Sequence, residues 1–375
     1  MSCDLFMFCG ETSGDLHAES LLTELKIKKP NLKIFGVAGP RMRHQGVNSI
    51  LAMEELQTMG FIDVFCAFPK LLRIFYKVAN AILELQPKMV FTIDYPGFSL
   101  RLHRHLKKRG FKGQVVHFIC PSVWAWGKHR VAFMEKHLDH LFTILPFESQ
   151  IFRRLPTQYV GHPLNSRIQS YKYQNLFFPK DKQIIALFPG SRSKEIERNL
   201  PIYLDACRVL CASNPNLHIA LSVAQPKFHS QILFILQKKT WSYPITLVPH
   251  THSYELMQKT HLGIAKSGTV TLELALHFVP TVVTYGLSKL DLIITRDLLR
   301  IRLPFYCLVN IVANEEIFPE LIGPYFTNTS LLSHMYHLLE NHPIYQEKCK
   351  HIVTLLGTEN TAKEVSKQIC LMLSN

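Results

Sequence analysis

The 375-residue chain has few features that would place it in an oxidising or membrane-spanning environment. Its nine cysteines form no CxxC pair and have no His or Cys partners at metal-ligand spacing, so we expect no metal site, no disulfide framework and reduced thiols in the cytosol. The chain contains no run of the roughly 18 apolar residues that a membrane-spanning helix needs. A basic segment followed by an apolar stretch is also missing at its start, so we expect no signal peptide.

Two common nucleotide-binding patterns are also absent. The P-loop pattern GxxxxGK(S/T) fails because Asp15 stands where the lysine should be, and no GxGxxG occurs. These absences disfavour a P-loop ATPase and a dehydrogenase. A zinc finger, an RNP motif and a long Lys/Arg run are missing too, so nucleic acid is a disfavoured partner despite a net charge of +14. The positive charge instead indicates ligands that carry phosphate.

The most informative segment that is present is KSGTVTLE, at 266–273. It lies between an apolar run and a helix-like run, which predicts strand, turn and helix. Backbone N–H groups of Ser267, Gly268 and Thr269 would then lie at a helix N-terminus, where phosphate binds. Glu273, one turn further on, is placed to accept hydrogen bonds from a ribose. Taken alone, the segment is more typical of an ordinary βα turn capped by Ser or Thr than of a phosphate site.

Two further turns follow apolar runs in the same way. The turn GSRS at 190–193 contains Arg192, whose guanidinium matches phosphate oxygens in a two-pronged manner, although a solvated surface charge is the alternative. The turn GETSGD lies at 10–15. Each half of the chain therefore opens with a strand, a glycine turn and a helix, which predicts two doubly wound α/β domains.

Alternating strand-like and helix-like runs predict parallel sheets. We predict domains at 1–164 and 165–375, with a linker in the polar stretch 165–182, and leave open whether the C-terminal helix packs back on the first domain. A loop is predicted at 305–323. The predicted strands are 4–9, 33–37, 88–93, 115–119, 140–144, 157–160, 184–188, 217–223, 245–248, 262–265 and 281–285.

Asp94 is the strongest candidate for chemistry. It ends the apolar run 89–93, and the Tyr-Pro-Gly that follows predicts a turn. A carboxylate beside apolar walls can have a raised pKa and act as a general base. A cap on the next helix explains the residue equally well.

The segment 61–82 combines apolar bulk with Lys70, Arg73 and Lys77. Basic amphipathic helices lie on anionic membranes, although a single such stripe more often faces a protein core. The density of Phe and Leu exceeds one stripe and favours lipid contact, and 289–304 shows a similar basic pattern with Arg296. The residues predicted to contact the membrane or acyl chains are Phe61, Val64, Phe65, Phe68, Leu71, Leu72 and Phe75.

Together these segments resemble the lipid-A-disaccharide synthase family. The resemblance implies a GT-B fold, with two Rossmann-like domains of doubly wound parallel sheet around a central cleft. The matching segments follow the family's order and are GETSGD (10–15), GVAGPRM (36–42), MEEL with MG (53–60), IDYPGF (93–98), PSVWAW (121–126), LPFE (145–148), GHP (161–163), FPGSRSKEI (188–196), KSGTVTLE (266–273) and NIVANEEIFPE (310–320).

The resemblance also implies a reaction and its residues. UDP-2,3-diacylglucosamine would be the donor and 2,3-diacylglucosamine 1-phosphate the acceptor, giving the β-1′,6-linked disaccharide and UDP with inversion, one general base and no metal or other cofactor. Asp94 would be catalytic, and Gly14 would face the diphosphate from the other domain. The residues that match the UDP-binding set are Arg192, Ser267, Gly268, Thr269, Glu273, Gly14 and Asn310.

Some positions depart from the family. Val309 precedes Asn310 where Pro is usual, and Asn314-Glu315 stand where Gly-Arg is common, so Arg296 or Lys266 would have to supply the missing cation. We expect a peripheral protein on the anionic cytoplasmic face of the inner membrane, either monomeric or a homodimer. The alternatives are a MurG-like transferase or 2-epimerase acting on UDP-GlcNAc, a non-catalytic binder on the same fold, and the disfavoured nucleic-acid binder.

Overall fold

The computed structural model divides the chain into two compact units. The first comprises Met1–Ser166 and Thr358–Asn375, and the second comprises Arg167–Gly357. The structure describes residues 2–57, 64–125, 127, 129–176, 178–179, 181–286, 303–357 and 359–374, with the backbone alone at 57 and 64–68.

The first unit contains a parallel seven-stranded sheet in the order β3-β2-β1-β4-β5-β6-β7, counted over the described residues. Its strands are β1 Leu5–Cys9, β2 Ile34–Ala38, β3 Asn48–Ala52, β4 Met89–Ile93, β5 Gln114–Phe118, β6 His140–Thr143 and β7 Thr157–Tyr159. Its helices are α1 Thr12–Lys28, α2 Pro40–His44, α3 Glu54–Gln57, α4 Val64–Leu85, α5 Pro96–Lys108 and α6 His129–His137. Helix α7, Pro163–Gln169, spans the boundary between the units.

Both faces of this sheet are covered, as parallel sheets require. Successive residues of β1 alternate between two apolar clusters: Phe6 and Phe8 belong to one, and Leu5 and Met7 to the other. The last helix of the chain, Thr361–Met372, contributes Ile369 to the second cluster. The core of the first unit is therefore built from both ends of the chain.

The second unit repeats the architecture with a parallel six-stranded sheet in the order β10-β9-β8-β11-β12-β13, again over the described residues. The strands are β8 Gln183–Phe188, β9 Leu217–Val223, β10 Ile245–Pro249, β11 Thr260–Lys266, β12 Thr281–Tyr285 and β13 Glu320–Ile322. The helices are α8 Ser193–Ser213, α9 His229–Lys238, α10 Ser253–Lys259, α11 Thr269–Leu276, α12 Leu308–Ala313, α13 Asn328–Glu340 and α14 His342–Leu355. The last helix of the chain, α15, is Thr361–Met372 and belongs to the first unit.

The prediction of two doubly wound parallel sheets is confirmed, and one local prediction is wrong. The predicted loop at 305–323 contains helix α12 and strand β13. Strand β3 is an additional element that the sequence pattern did not indicate. Both strands lie at the edge of their sheet, and β3 is largely accessible to solvent, so neither carries the buried apolar run that marks a central strand.

Candidate active site

A cavity of about 340 Å³ lies at the carboxyl ends of β8 and β11 in the second unit. These two strands are neighbours in the sheet, so the turns that follow them come together. The turn after β8 contributes Gly190 and Ser191 to the lining, and the turn after β11 contributes Ser267, Gly268 and Thr269. The two anion-binding turns expected from the sequence therefore share one cavity.

The turn after β11 is fixed by hydrogen bonds from Ser267 to two neighbouring segments, and it lines the cavity. Ser267 donates its backbone N–H to the Thr284 carbonyl at 2.8 Å, and its hydroxyl donates to the Tyr306 carbonyl at 3.3 Å. Helix α11 starts at Thr269, directly after its N-cap residue Gly268. A Cβ at Gly268 would meet no atom closer than 3.9 Å, so a ligand can approach this backbone closely.

The turn after β8 is organised around Glu195. This carboxylate accepts hydrogen bonds from the Ser191 backbone N–H at 3.0 Å and from Arg192 at 3.2 Å, and it pairs with the Lys266 amine at 3.3 Å. Burial alone would raise the pKa of Glu195, but Lys266 and the Ser191 N–H outweigh it and the pKa is lowered. Gly190 has φ +133, and a Cβ there would lie 2.6 Å from the Glu195 side chain, so the turn needs glycine.

The cations of the site differ in their placement. Arg192 has 78% of its side chain exposed, whereas Lys266 lines the cavity and lies with its amine 4.8 Å from the centre of the Tyr285 ring. Lys266 and Arg296 were the two residues expected to supply the positive charge of the arginine that is common in the family. Lys266 lies in the cavity, and Arg296 lies outside the described residues. The sequence pattern did not single out Glu195, because its contact with Lys266 depends on the pairing of β8 with β11.

Glu273 lines the same cavity from the second turn of α11. The Tyr254 hydroxyl donates a hydrogen bond to its Oε1 at 3.1 Å. Burial raises the pKa of Glu273, while Tyr254 and the charge of Arg167 act in the opposite direction. Neither Tyr254 nor Arg167 belongs to a recognisable motif, so the sequence offered no signal for them.

Asn310 is fully buried, and its amide makes four hydrogen bonds of 2.7–2.9 Å with residues 317–320. One of these reaches the Glu320 carboxylate, which also accepts the backbone N–H of Tyr306. Tyr306 in turn accepts the Ser267 hydroxyl through its carbonyl. Asn310 thus supports the turn after β11 from inside the fold, and the structure does not place its amide at the cavity surface.

In the first unit, Asp94 and Glu11 lie close together beyond the carboxyl ends of two central strands, β4 and β1. Strands β1 and β4 are paired with Cys9 opposite Ile93, so the residues that follow each strand leave the sheet together. Burial, followed by the charge of Glu11, raises the pKa of Asp94 from 3.8 to about 6. The predicted turn is present, with φ +50 at Asp94 and φ +53 at Tyr95.

The glycines of GETSGD serve packing. A Cβ at Gly10 would lie 2.4 Å from the Tyr95 ring, which therefore occupies the space that this glycine leaves. Gly14 is buried in the first turn of α1, and a Cβ there would meet Cys9 at 3.2 Å. Asp15 accepts the backbone N–H groups that open α2, from Arg41 and Met42, at 3.0 Å each.

Glu148 is another buried carboxyl group of the first unit, besides Asp15. Glu148 is 1% exposed and accepts the indole N–H of Trp124 and the backbone N–H of Leu145, both at 3.2 Å. Burial raises the pKa of Glu148 to about 7. Glu148 thereby attaches the PSVWAW turn to the segment after β6, a link that the spacing of the two motifs does not reveal.

Helix α4 contains part of the segment predicted to contact lipid. Ile74 is buried in the core, Leu71 and Phe75 are half-buried against it, and Leu72 and Tyr76 are 43% and 48% exposed. Phe61 lies outside the described residues, as do the side chains of Val64, Phe65 and Phe68 and the basic stretch 287–302. Where the structure is described, no helix combines the length and apolar character needed to cross a bilayer.

The sequence profile of the lipid-A-disaccharide synthetase family matches residues 5–372, almost the whole chain. The chain belongs to this family. It is 32% identical over 377 residues to the lipid-A-disaccharide synthase of Coxiella burnetii, with 97% of both chains covered. The family resemblance expected from the motifs is thereby confirmed.

Other members of the family are longer. The chain is 41% identical over 325 residues to the lipid-A-disaccharide synthase of Chlamydia trachomatis serovar D, which covers 85% of this chain and 53% of that protein. For the Chlamydia caviae synthase the identity is 38% over 373 residues, covering 98% of this chain and 59% of that one. The chain thus spans about half the length of these relatives.

Comparison with solved structures places the fold in the GT-B class, as expected. The glycotransferase of kitacinnamycin has a TM-score of 0.66 at 12% identity, with 99% of both chains covered. A UDP-GlcNAc 2-epimerase from Neisseria meningitidis, solved with UDP-GlcNAc, has a TM-score of 0.63 at 11% identity and covers 99% of this chain and 100% of that one. At these identities the likeness concerns the fold alone.

Proposed function

We propose that this chain is an inverting glycosyltransferase that joins UDP-2,3-diacylglucosamine to 2,3-diacylglucosamine 1-phosphate and releases UDP. The observation that carries the proposal is the cavity of the second unit. It combines the turns at the N-termini of α8 and α11 with the Lys266 amine and the partly buried carboxylate of Glu273. A diphosphate needs the first two features, and a ribose needs the last.

The donor nucleotide is assigned to this cavity. The turns at 190–192 and 267–269 would take the diphosphate, with Arg192 and Lys266 neutralising charge that develops on the leaving UDP. Glu273 would accept hydrogen bonds from the ribose hydroxyls. Asn310 would act indirectly, by supporting the turn after β11, and Gly14 would act through the packing of α1 at the carboxyl end of β1.

The acceptor and its base are assigned to the first unit. With a pKa of about 6, Asp94 is mostly ionised at neutral pH, yet it is a stronger base than an ordinary aspartate. It would remove the proton of the acceptor 6-hydroxyl while that oxygen attacks the anomeric carbon and UDP leaves. One such displacement inverts the configuration at the anomeric carbon.

The test incubates the purified full chain with both acylated sugars and follows UDP and disaccharide by mass spectrometry. We expect both products in equal amounts. A parallel incubation with UDP-GlcNAc alone tests for epimerisation to the 2-epimer, the activity named for the Neisseria protein. Epimer without disaccharide would overturn the proposal in favour of the 2-epimerase alternative.

The acyl chains of both substrates require access to a lipid surface, and we propose that helix α4 supplies it. Leu72 and Tyr76 are exposed, and the basic residues Lys70 and Arg73 lie on the same exposed stretch. Basic residues near an anionic surface contribute about 1 kcal/mol each. Leu72→Ser should weaken binding to phosphatidylglycerol vesicles while leaving the protein folded.

The control for this experiment is Ile74→Ser, which alters a buried neighbour on the same helix and should destabilise the first unit. High salt should weaken vesicle binding of the wild type. If a combined Leu72→Ser and Tyr76→Ser variant stays folded and binds vesicles as the wild type does, α4 is not the membrane contact.

A further inference from the structure

Glu273 is held by two residues on other elements. The Tyr254 hydroxyl, on α10, donates to Glu273 Oε1 at 3.1 Å. Arg167, on α7, makes a hydrogen bond to Tyr254 and lowers the pKa of Glu273 through its charge. Among the described residues, Glu273 belongs to the cavity lining, whereas Tyr254 and Arg167 do not.

A carboxylate needs such support in this position. Burial favours the protonated form of Glu273, and a protonated carboxyl group would be a poor acceptor for two ribose hydroxyls. A donated hydrogen bond to one oxygen and a nearby guanidinium both favour the ionised form. The bond to Oε1 also restricts rotation of the group, so that Oε2 is the oxygen available to a ligand.

We propose that Tyr254 and Arg167 are positioning residues for nucleotide binding, which orient the Glu273 carboxylate toward the ribose hydroxyls. The inference rests on the proposed function, because it assigns the ribose to Glu273. Neither residue touches the ligand. Their effect is transmitted through the single hydrogen bond and the charge that act on Glu273.

The chain provides a matched control a short distance away. The Tyr171 hydroxyl donates to Glu255 Oε1 at 2.9 Å, and the Tyr171 ring packs 4.9 Å from the Tyr254 ring. Glu255 is 1% exposed and does not belong to the described lining of the cavity. Tyr171→Phe therefore removes the same kind of bond in the same region without acting on the ligand site.

The experiment measures uridine and UDP binding by calorimetry between pH 5 and pH 8 for wild type, Tyr254→Phe, Arg167→Gln and Tyr171→Phe. Loss of one hydrogen bond should weaken uridine binding by about three- to tenfold in Tyr254→Phe. Arg167→Gln should act in the same direction. Binding to Tyr171→Phe should equal that of the wild type, although both Tyr→Phe variants lose a comparable amount of stability.

The pH profile separates positioning from a merely structural role. Without the Tyr254 hydroxyl, Glu273 should protonate at a higher pH, so the loss of uridine binding on acidification should begin at a higher pH than in the wild type. His277 packs on the Tyr254 ring, and His250, Glu195 and Lys266 share the cavity. These groups are the same in every variant, so the difference between variants reports Glu273.

The Glu273→Gln variant distinguishes a failure of the ribose assignment from a failure of the positioning role. If Glu273→Gln binds uridine as the wild type does, the ribose assignment in the proposed function fails. If Glu273→Gln weakens binding while Tyr254→Phe leaves both affinity and pH profile unchanged, the ribose assignment stands and the positioning role is overturned. A shift of the profile in Tyr171→Phe equal to that in Tyr254→Phe would also overturn it.

Discussion

Replacing Asp94 by Asn should lower turnover and raise stability at the same time. Burial and the neighbouring Glu11 raise the pKa of Asp94 to about 6, whereas in an unfolded chain it is about 3.9. A difference of about two pKa units means that the folded state disfavours the ionised carboxylate by about 3 kcal/mol. That cost is present above pH 6 and disappears as the pH falls through the interval from 6 to 4, because the folded state then binds the proton first.

The Asp94→Asn variant would escape this cost without disturbing the turn. The Asp94 backbone N–H bonds to the Phe118 carbonyl, and its carbonyl accepts the Ser99 hydroxyl, and neither contact involves the carboxylate. An asparagine side chain also tolerates the left-handed φ of +50 at this position. We therefore expect the variant to gain up to about 3 kcal/mol in free energy of unfolding at pH 8, and nothing near pH 4.

Turnover of the same variant should fall by about 10²–10⁴-fold, the usual contribution of a general base. Urea unfolding at pH 8, 6 and 4 measures the stability, and UDP release measures the turnover. Asp181→Asn is the control, because Asp181 is an exposed aspartate with φ +64 in the second unit. Turnover within a few-fold of wild type would refute the assignment of Asp94 as the general base. A loss of stability at pH 8 would refute the inference that burial of its carboxylate costs free energy.

Two other perturbations test separate parts of the structure. Arg192→Ala should weaken UDP binding roughly 10- to 100-fold through loss of a charged hydrogen bond but leave uridine binding unchanged. Lys194→Ala, which removes an exposed positive charge nearby, is the control and should bind both ligands as the wild type does. Equal effects of Arg192→Ala on both ligands would contradict a phosphate role. Burial lowers the pKa of His117 to about 4 and also lowers that of His103, so the unfolded state binds their protons first and stability should fall as pH drops from 6.5 toward 4. Urea unfolding of His117→Gln should show a weaker decline; an unchanged decline would place the acid sensitivity elsewhere.

The central strands and the glycine turns that follow β1, β8 and β11 were predictable because apolar runs and turn residues are local features. The edge elements were not. Strand β13 has three residues, and α12, with the sequence LVNIVA, has six, which is too short for a helical period to show. Asn310, inside α12, matches the family's motif, but a motif match cannot reveal that its amide is satisfied within the fold.

The side-chain pairs that shift the pKa values of the candidate site residues could not be predicted from the sequence. Glu11 acts on Asp94 only because β1 and β4 are adjacent with Cys9 opposite Ile93. Tyr254 reaches Glu273 because α10 and α11 flank β11, and the identity of neither residue indicates the contact. In both cases the contact depends on how two elements pair or pack in three dimensions, which the local sequence pattern does not contain.

The first unit is interrupted by the whole of the second, and this has a consequence for the order of folding. Helix α15 packs against α1 and supplies Val365 and Ile369 to a cluster that includes Leu21 and Leu22. During synthesis the residues of the second unit, Arg167–Gly357, are complete before α15 is made. The unit proposed to bind the nucleotide can therefore assemble while the unit that carries Asp94 still exposes an apolar surface, so we expect the nascent first unit to aggregate more readily until α15 has been made.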